Sequence, residues 1–253
     1  MFSFLQRDER LGVAFTDRDG GVSGPGLGPL NLGRTDTDDL AAVARNGELV
    51  VAELGVAHWV ACHQVHGTAV LQVDRAFLAG WGPRSWLGEP AGQPPLPVAD
   101  AMVTNVPGVA LVIRVADCVP VLLAADDGRV VGAAHAGRAG VDGGVLAVTV
   151  EGMRSLGATG IRGWIGPHVC GACYEVPDRM AAELDARHPG LAVRTRWGTR
   201  GLDLGAGCRD QLAALGVPVE RHDPCTLTST DLHSHRRDGD GAGRLAGIIW
   251  RVS

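Results

Sequence analysis

The chain has no lysine: all 23 of its basic residues are arginine. A Schiff-base lysine, a P-loop lysine and a Ser-Lys dyad are therefore excluded. Nor is there an excess of positive charge. Against 28 acidic residues the net charge is −5, which argues against a general nucleic-acid binder. No apolar run reaches the roughly 18 residues of a membrane-spanning helix, so no membrane partner is expected. Arg7 interrupts the opening Met1-Phe2-Ser3-Phe4-Leu5-Gln6 stretch, which leaves no signal-peptide core. The reading that follows is a cytoplasmic protein whose six cysteines stay reduced, as metal ligands, nucleophiles or core residues.

Several catalytic signatures are missing too. There is no G-x-S-x-G, no H-E-x-x-H, and no G-x-G-x-x-G followed by a suitable acid. No histidine has glutamate two positions on, which excludes deamination by the cytidine-deaminase fold.

What is present suits one folded unit over residues 1–253. Hydrophobic residues make up 45% and charged residues 20%, enough apolar material for a core and too little charge for disorder. Leu11 to Thr16 reads as a strand, and Asp38-Asp39 opens a helix to Leu54 that Gly55 closes. His58 to Cys62 and Ala69 to Val73 read as short strands flanking a loop with His63 and His66. Val109 to Ile113, Val119 to Leu123 and Val130 to Ala134 are continuous apolar runs, as in strands buried on both faces. A helix is expected from Asp142 to Leu156, a strand at Ile161 to Ile165, and helices at Pro177 to Arg187 and Leu204 to Leu215. Val217 to Glu220 and Leu245 to Arg251 read as closing strands. The fold class is α/β (α+β), with no internal repeat. Glycine and proline exclude regular structure over 78–98, a segment whose Trp81 and Trp86 either cover a site or belong to a surface insertion.

Three segments place reactive side chains beside glycine at strand ends: His63-Gln64-Val65-His66-Gly67, Ala116-Asp117-Cys118 and His135-Ala136-Gly137-Arg138. Imidazole and thiolate from three segments suit zinc or copper, and three protein ligands leave a position for water or substrate. Residue types alone leave this open, because a lone His or Cys at a strand end is as readily a core residue. Arg138, in the turn that opens a helix, offers an anion clamp or simply a solvated side chain. Cys170-Gly171-Ala172-Cys173 lacks the second pair of a zinc ribbon and reads as a structural turn outside the active site. Cys62, Cys208 and Cys225 carry no spacing signal.

Together these segments resemble the laccase-domain family, whose members have been called polyphenol oxidases, purine nucleoside phosphorylases and peptidoglycan editing factors. The resemblance runs from Phe15-Thr16-Asp17-Arg18-Asp19-Gly20-Gly21 and Asn31-Leu32-Gly33, through Gln64-Val65-His66-Gly67, Asp100-Ala101, Ala116-Asp117-Cys118 and His135-Ala136-Gly137. It ends at Cys173-Tyr174-Glu175-Val176, Cys225-Thr226, Ser234-His235-Arg236-Arg237 and Gly243-Arg244.

The resemblance implies packed mixed β-sheets flanked by helices, as in cysteine-hydrolase-like folds. It also implies a metal triad of His66, Cys118 and His135, with His63 outside it. These three and Asp117 are the expected catalytic residues, with Arg138 and Asn31 expected to bind substrate. Where the family often has His-Ala-Gly-Trp-Arg-Gly, Arg138 takes the Trp position and Ala139 the Arg position; Asn46-Gly47 stands where it often has Asn-Arg.

The implied activity is zinc-dependent phosphorolysis of adenosine, inosine and methylthioadenosine with adenosine deamination, on a purine nucleoside and phosphate. The alternative is a cysteine hydrolase with Cys118 as nucleophile, editing peptidoglycan precursors. A polyphenol oxidase and a non-enzymatic zinc module rank lower. No oligomer interface is legible in the sequence.

Overall fold

The structure is a computed structural model and describes residues 1–252 apart from 25, 90, 91 and 94. Its strands are β1 (Phe2–Arg7), β2 (Leu11–Thr16), β3 (His58–Ala61), β4 (Val70–Gln72), β5 (Ala101–Thr104), β6 (Val109–Val115) and β7 (Val119–Ala125). There follow β8 (Val131–Ala136), β9 (Ile161–Ile165), β10 (Ala192–Arg194), β11 (Arg200–Leu202), β12 (Val219–Arg221) and β13 (Leu245–Arg251). The helices are α1 (Leu40–Leu54), α2 (Arg75–Ala79), α3 (Arg138–Gly143), α4 (Val145–Ser155), α5 (Asp178–Arg187), α6 (Leu204–Ala214) and α7 (His235–Asp238).

Two mixed sheets face each other. One has the order β1-β2-β13-β6-β3, the other β12-β9-β7-β8-β5-β4; β10 and β11 form a separate hairpin. β13 and β6 lie against β7 and β8, which explains why β6, β7 and β13 are almost wholly buried and read as unbroken apolar runs. Ile113, Leu122 and Ile248 are fully buried in this core. Each such side chain contributes about 1.5–3 kcal/mol on burial. A second apolar cluster joins the six-stranded sheet to α3, α4 and α6 through Val141, Leu146, Val150 and Leu212.

The expected helix caps are present: Asp39 accepts the amide of Ala41, and Gly55 ends α1 in the left-handed conformation at φ 64°. The helix expected over Asp142 to Leu156 is instead two, because Gly144 at φ 84° breaks it between α3 and α4. Trp81 and Trp86 do not cover a site. The Trp81 indole donates to the Trp59 carbonyl at 2.9 Å and Trp86 packs on the Trp59 ring, so both belong to the core. Residues 90, 91 and 94 of that segment lie outside the described residues.

The strand order decides where the chemistry gathers. β3 runs parallel to β6, so the loops after both leave from one edge. β8 pairs antiparallel with β7, which sets His135 opposite Pro120, beside Cys118. β5 pairs with β8 from Ala101 opposite Ala134, which brings Asp100 to His135. β13 starts opposite Val115, so Arg244 reaches the same rim.

Candidate metal centre and its pocket

At this rim the donor atoms of His66, Cys118 and His135 lie within 4.8 Å of one another. Cys118 Sγ is 3.6 Å from His66 Nε2. Two residues of the flanking loops take left-handed backbone, His66 at φ 61° and Asp117 at φ 88°. Outside glycine that conformation is uncommon, and here it turns His66 and Cys118 toward each other. Gly137 completes the fit: a Cβ there would stand 2.6 Å from the His66 ring and 3.2 Å from Cys118 Sγ.

Asp100 organises the cluster from below. Fully buried, it accepts the amides of Val65, His66 and Gly67 at 3.1, 2.9 and 2.7 Å. Its Oδ1 lies 2.8 Å from His135 Nδ1. Burial pushes the carboxyl upward, but the hydrogen bonds from His135 and the loop amides outweigh it and hold it at about 2. The ionised carboxylate accepts the Nδ1 proton of His135, leaving Nε2 for the thiol or a metal. Burial also opposes charge at Cys118 and His135. It is overcome at the thiol by hydrogen bonds to His135 and His66, which lower it. At His135 it is overcome by Asp100 and Cys118, which raise it.

The three donors border a cavity of 900 Å³, within the range of small-molecule sites. Arg34, Arg114, Arg236 and Arg244 line it, with Tyr174 and His235. Burial pulls Arg114 down to about 10, against an upward pull from Cys62 and with a further push from the neighbouring Arg244 and Arg34 guanidiniums. Among the described residues none of these three arginines makes an ion pair with a carboxylate. Such a cluster suits an anionic ligand. Gln64 fixes one flank, accepting the Arg114 amide and donating to the Arg114 carbonyl.

The expected site residues divide. His66, Cys118 and His135 converge, and Asp117 lines the same cavity. Its two oxygens accept the Thr226 hydroxyl at 2.5 Å and the Arg236 amide at 2.6 Å, contacts that anchor the turn before Cys118. Asn31 is fully buried behind the wall. It donates to the Gly33 carbonyl and Asp38 and accepts the Gly33 and Arg244 amides, so it positions Arg244 rather than substrate. Arg138 is absent from the cavity lining and sits beside Tyr174. Asp100 and Arg244 stand in motifs that carry the resemblance but have no role assigned by it, and Arg34 and Arg114 have no signal among 23 arginines.

Cys170 and Cys173 also differ from the reading as a bare turn. Cys225, from a segment far along the chain, brings its sulfur within 4.8 Å of both.

Residues 12–252 match the family described as multi-copper polyphenol oxidoreductase laccase. The chain belongs to this laccase-domain family. It is 47% identical over 242 residues to a purine nucleoside phosphorylase of Streptomyces griseus, covering 94% of this chain and 93% of the relative. A purine nucleoside phosphorylase of Corynebacterium glutamicum is 39% identical over 99% of this chain and 98% of its own. Among solved structures, a Neisseria meningitidis protein superposes with a TM-score of 0.81 at 30% identity, covering 99% of each chain. YlmD of Geobacillus stearothermophilus gives 0.80 at 31% identity over 96% of this chain and 92% of that one. The laccase-domain fold and an enzyme named for purine nucleosides thus agree with the resemblance drawn from the motifs.

Proposed function

We propose that this chain, acting as one domain, is a zinc-dependent purine nucleoside phosphorylase whose metal is held by His66, Cys118 and His135. The observation that carries the reading is the meeting, in one cavity, of the His-Cys-His cluster and arginines that have no carboxylate partner among the described residues. Two imidazoles and a thiolate suit zinc, with copper the other metal such donors accept, and three ligands leave a position for water or substrate. The Asp100 contact, which fixes the His135 tautomer, is the outer support that metal-ligating histidines usually have. When bound, the zinc ion supplies Lewis-acid charge at the cavity floor.

The protein's own groups account for the rest. Arg34, Arg114 and Arg244 hold phosphate and orient one oxygen toward the anomeric carbon of a nucleoside. That oxygen forms the new bond to the sugar while the glycosidic bond breaks. The purine leaves with the bonding electrons and takes up a proton, with Tyr174 and His235 at the wall as hydrogen-bond partners. Adenosine, inosine and methylthioadenosine are the substrates of this reading. Adenosine deamination in the same cavity adds water and releases ammonia without using the arginines. Six free cysteines suit a reducing compartment, and we assign the enzyme to the cytoplasm.

One geometry favours a second reading, a cysteine hydrolase. Cys118, His135 and Asp100 form a nucleophile, base and orienting carboxylate, with His66 also 3.6 Å from the thiol. Its substrate would be an acyl compound, such as a peptidoglycan precursor carrying a wrong amino acid. Turnover of a nucleoside panel, with and without phosphate and after chelation, separates the two. Phosphorolysis lost on chelation and restored by zinc supports the first; chelator-resistant acyl hydrolysis with a covalent Cys118 adduct supports the second.

A further inference from the structure

We propose that Cys170, Cys173 and Cys225 form a second zinc site, distinct from the triad, that ties together two loops of the cavity wall. Sulfurs sharing one tetrahedral zinc at 2.3 Å stand about 3.8 Å apart. The three sulfurs here already lie within 4.8 Å of one another, so closure on a metal needs a shift of no more than about 1 Å.

Backbone hydrogen bonds hold the three cysteines on two braced loops. Cys170-Gly171-Ala172-Cys173 forms a tight turn in which the Cys173 and Tyr174 amides both donate to the Cys170 carbonyl, at 2.8 and 3.0 Å. Gly171 is needed there, because a Cβ would meet Asp203 at 2.7 Å. The Cys170 amide donates to Cys225 Sγ at 3.4 Å, a contact that offsets negative charge on sulfur. On the other side the Ser229 amide donates to the Cys225 carbonyl, and Arg237 binds the carbonyls of Thr226 and Ser229. Cys225 therefore stands on a braced loop.

A disulfide explains the cluster less well, since any pairing leaves one thiol over. Cys173 is buried while Cys170 and Cys225 are half-buried, and three sulfurs would leave the fourth position to a water molecule. Binding displaces the thiol protons.

The consequence for the cavity is direct. Val169 and Tyr174 flank the C-x-x-C turn and line the cavity. Thr226, next to Cys225, holds Asp117 beside Cys118. A metal joining the two loops fixes Tyr174 and the Asp117 turn from behind, without touching substrate.

Elemental analysis of zinc-loaded protein, with Cys118→Ala and the double variant Cys170→Ser/Cys173→Ser, tests this. About two zinc ions per chain are expected in the native protein, and about one in each variant. Cobalt(II) loading of Cys118→Ala should give thiolate-to-metal charge-transfer absorption of a three-sulfur site. If the double variant does not fold, Cys118→Ala alone decides. Zinc retained there with the sulfur-rich cobalt spectrum supports the second site even if the triad proves metal-free. A metal-free Cys118→Ala, or a mass showing an intrachain disulfide among these cysteines in the native protein, overturns it.

Discussion

The Asp100 carboxylate lies 2.8 Å from His135 Nδ1 and at the same time receives three consecutive amides of the loop that carries His66. One buried group therefore sets both the tautomer of one donor and the position of another. Asp100→Asn keeps the shape but gives up the charge. Metal affinity, read by competition with a coloured chelator, should fall about 10- to 100-fold, the usual effect of losing an outer partner. Affinity within twofold of the native value would show that Asp100 only holds the loop.

Gly137 gives a sharper steric test. Its absent Cβ would sit 2.6 Å from His66 and 3.2 Å from Cys118 Sγ. Gly137→Ala should displace the His66 ring, so zinc stoichiometry and turnover fall together while the thermal midpoint changes little. Unchanged metal content in the folded variant would place His66 outside the metal site.

The arginines separate two reactions. Arg244→Gln should raise KM for phosphate and cut phosphorolysis roughly 10- to 100-fold, from loss of a charge-assisted hydrogen bond of about 1.5–3 kcal/mol. Adenosine deamination should be nearly unaffected. Arg138→Ala should be milder, because Arg138 lies beside Tyr174 outside the lining. Equal losses of both reactions in Arg244→Gln would remove Arg244 from the phosphate site.

Much of the fold was legible because burial on both faces leaves unbroken apolar strands, as at Val109 to Ile113 and Val119 to Leu123. β1 was not, because its burial pattern is mostly exposed and Arg7 breaks its apolar pattern. The meeting of His66, Cys118 and His135 was legible as three Gly-flanked strand ends, and the family resemblance selected these residues. The arginine cluster was not, because Arg34, Arg114 and Arg244 meet only through the strand order, and arginine substitutes for lysine throughout this chain. Cys225 was invisible beside Cys170 and Cys173 for the same reason: the parallel bridge between His168 and Cys225 is a tertiary contact with no local sequence pattern.

Acid stability should depend on His233. It is fully buried, its Nε2 donates to the Leu30 carbonyl at 3.1 Å, and its Nδ1 has no partner among the described residues. Burial pushes it down to about 4 from an ordinary 6.5. Between those values the unfolded chain binds the proton and the folded chain does not. Stability from this group is therefore fully present above about pH 6.5 and is lost as pH falls toward 4, by on the order of 3 kcal/mol. Urea midpoints of the native protein should drop over that window, and those of His233→Gln should drop less. Parallel curves would exclude His233 as the cause.

The most direct measurement is the phosphate dependence of free-base release from inosine by the zinc-loaded protein. Saturable release that requires phosphate, yields one ribose 1-phosphate per base and disappears in Cys118→Ala is the expected result. No base release from inosine or adenosine at any phosphate concentration, or release at the same rate without phosphate, would contradict a phosphorylase.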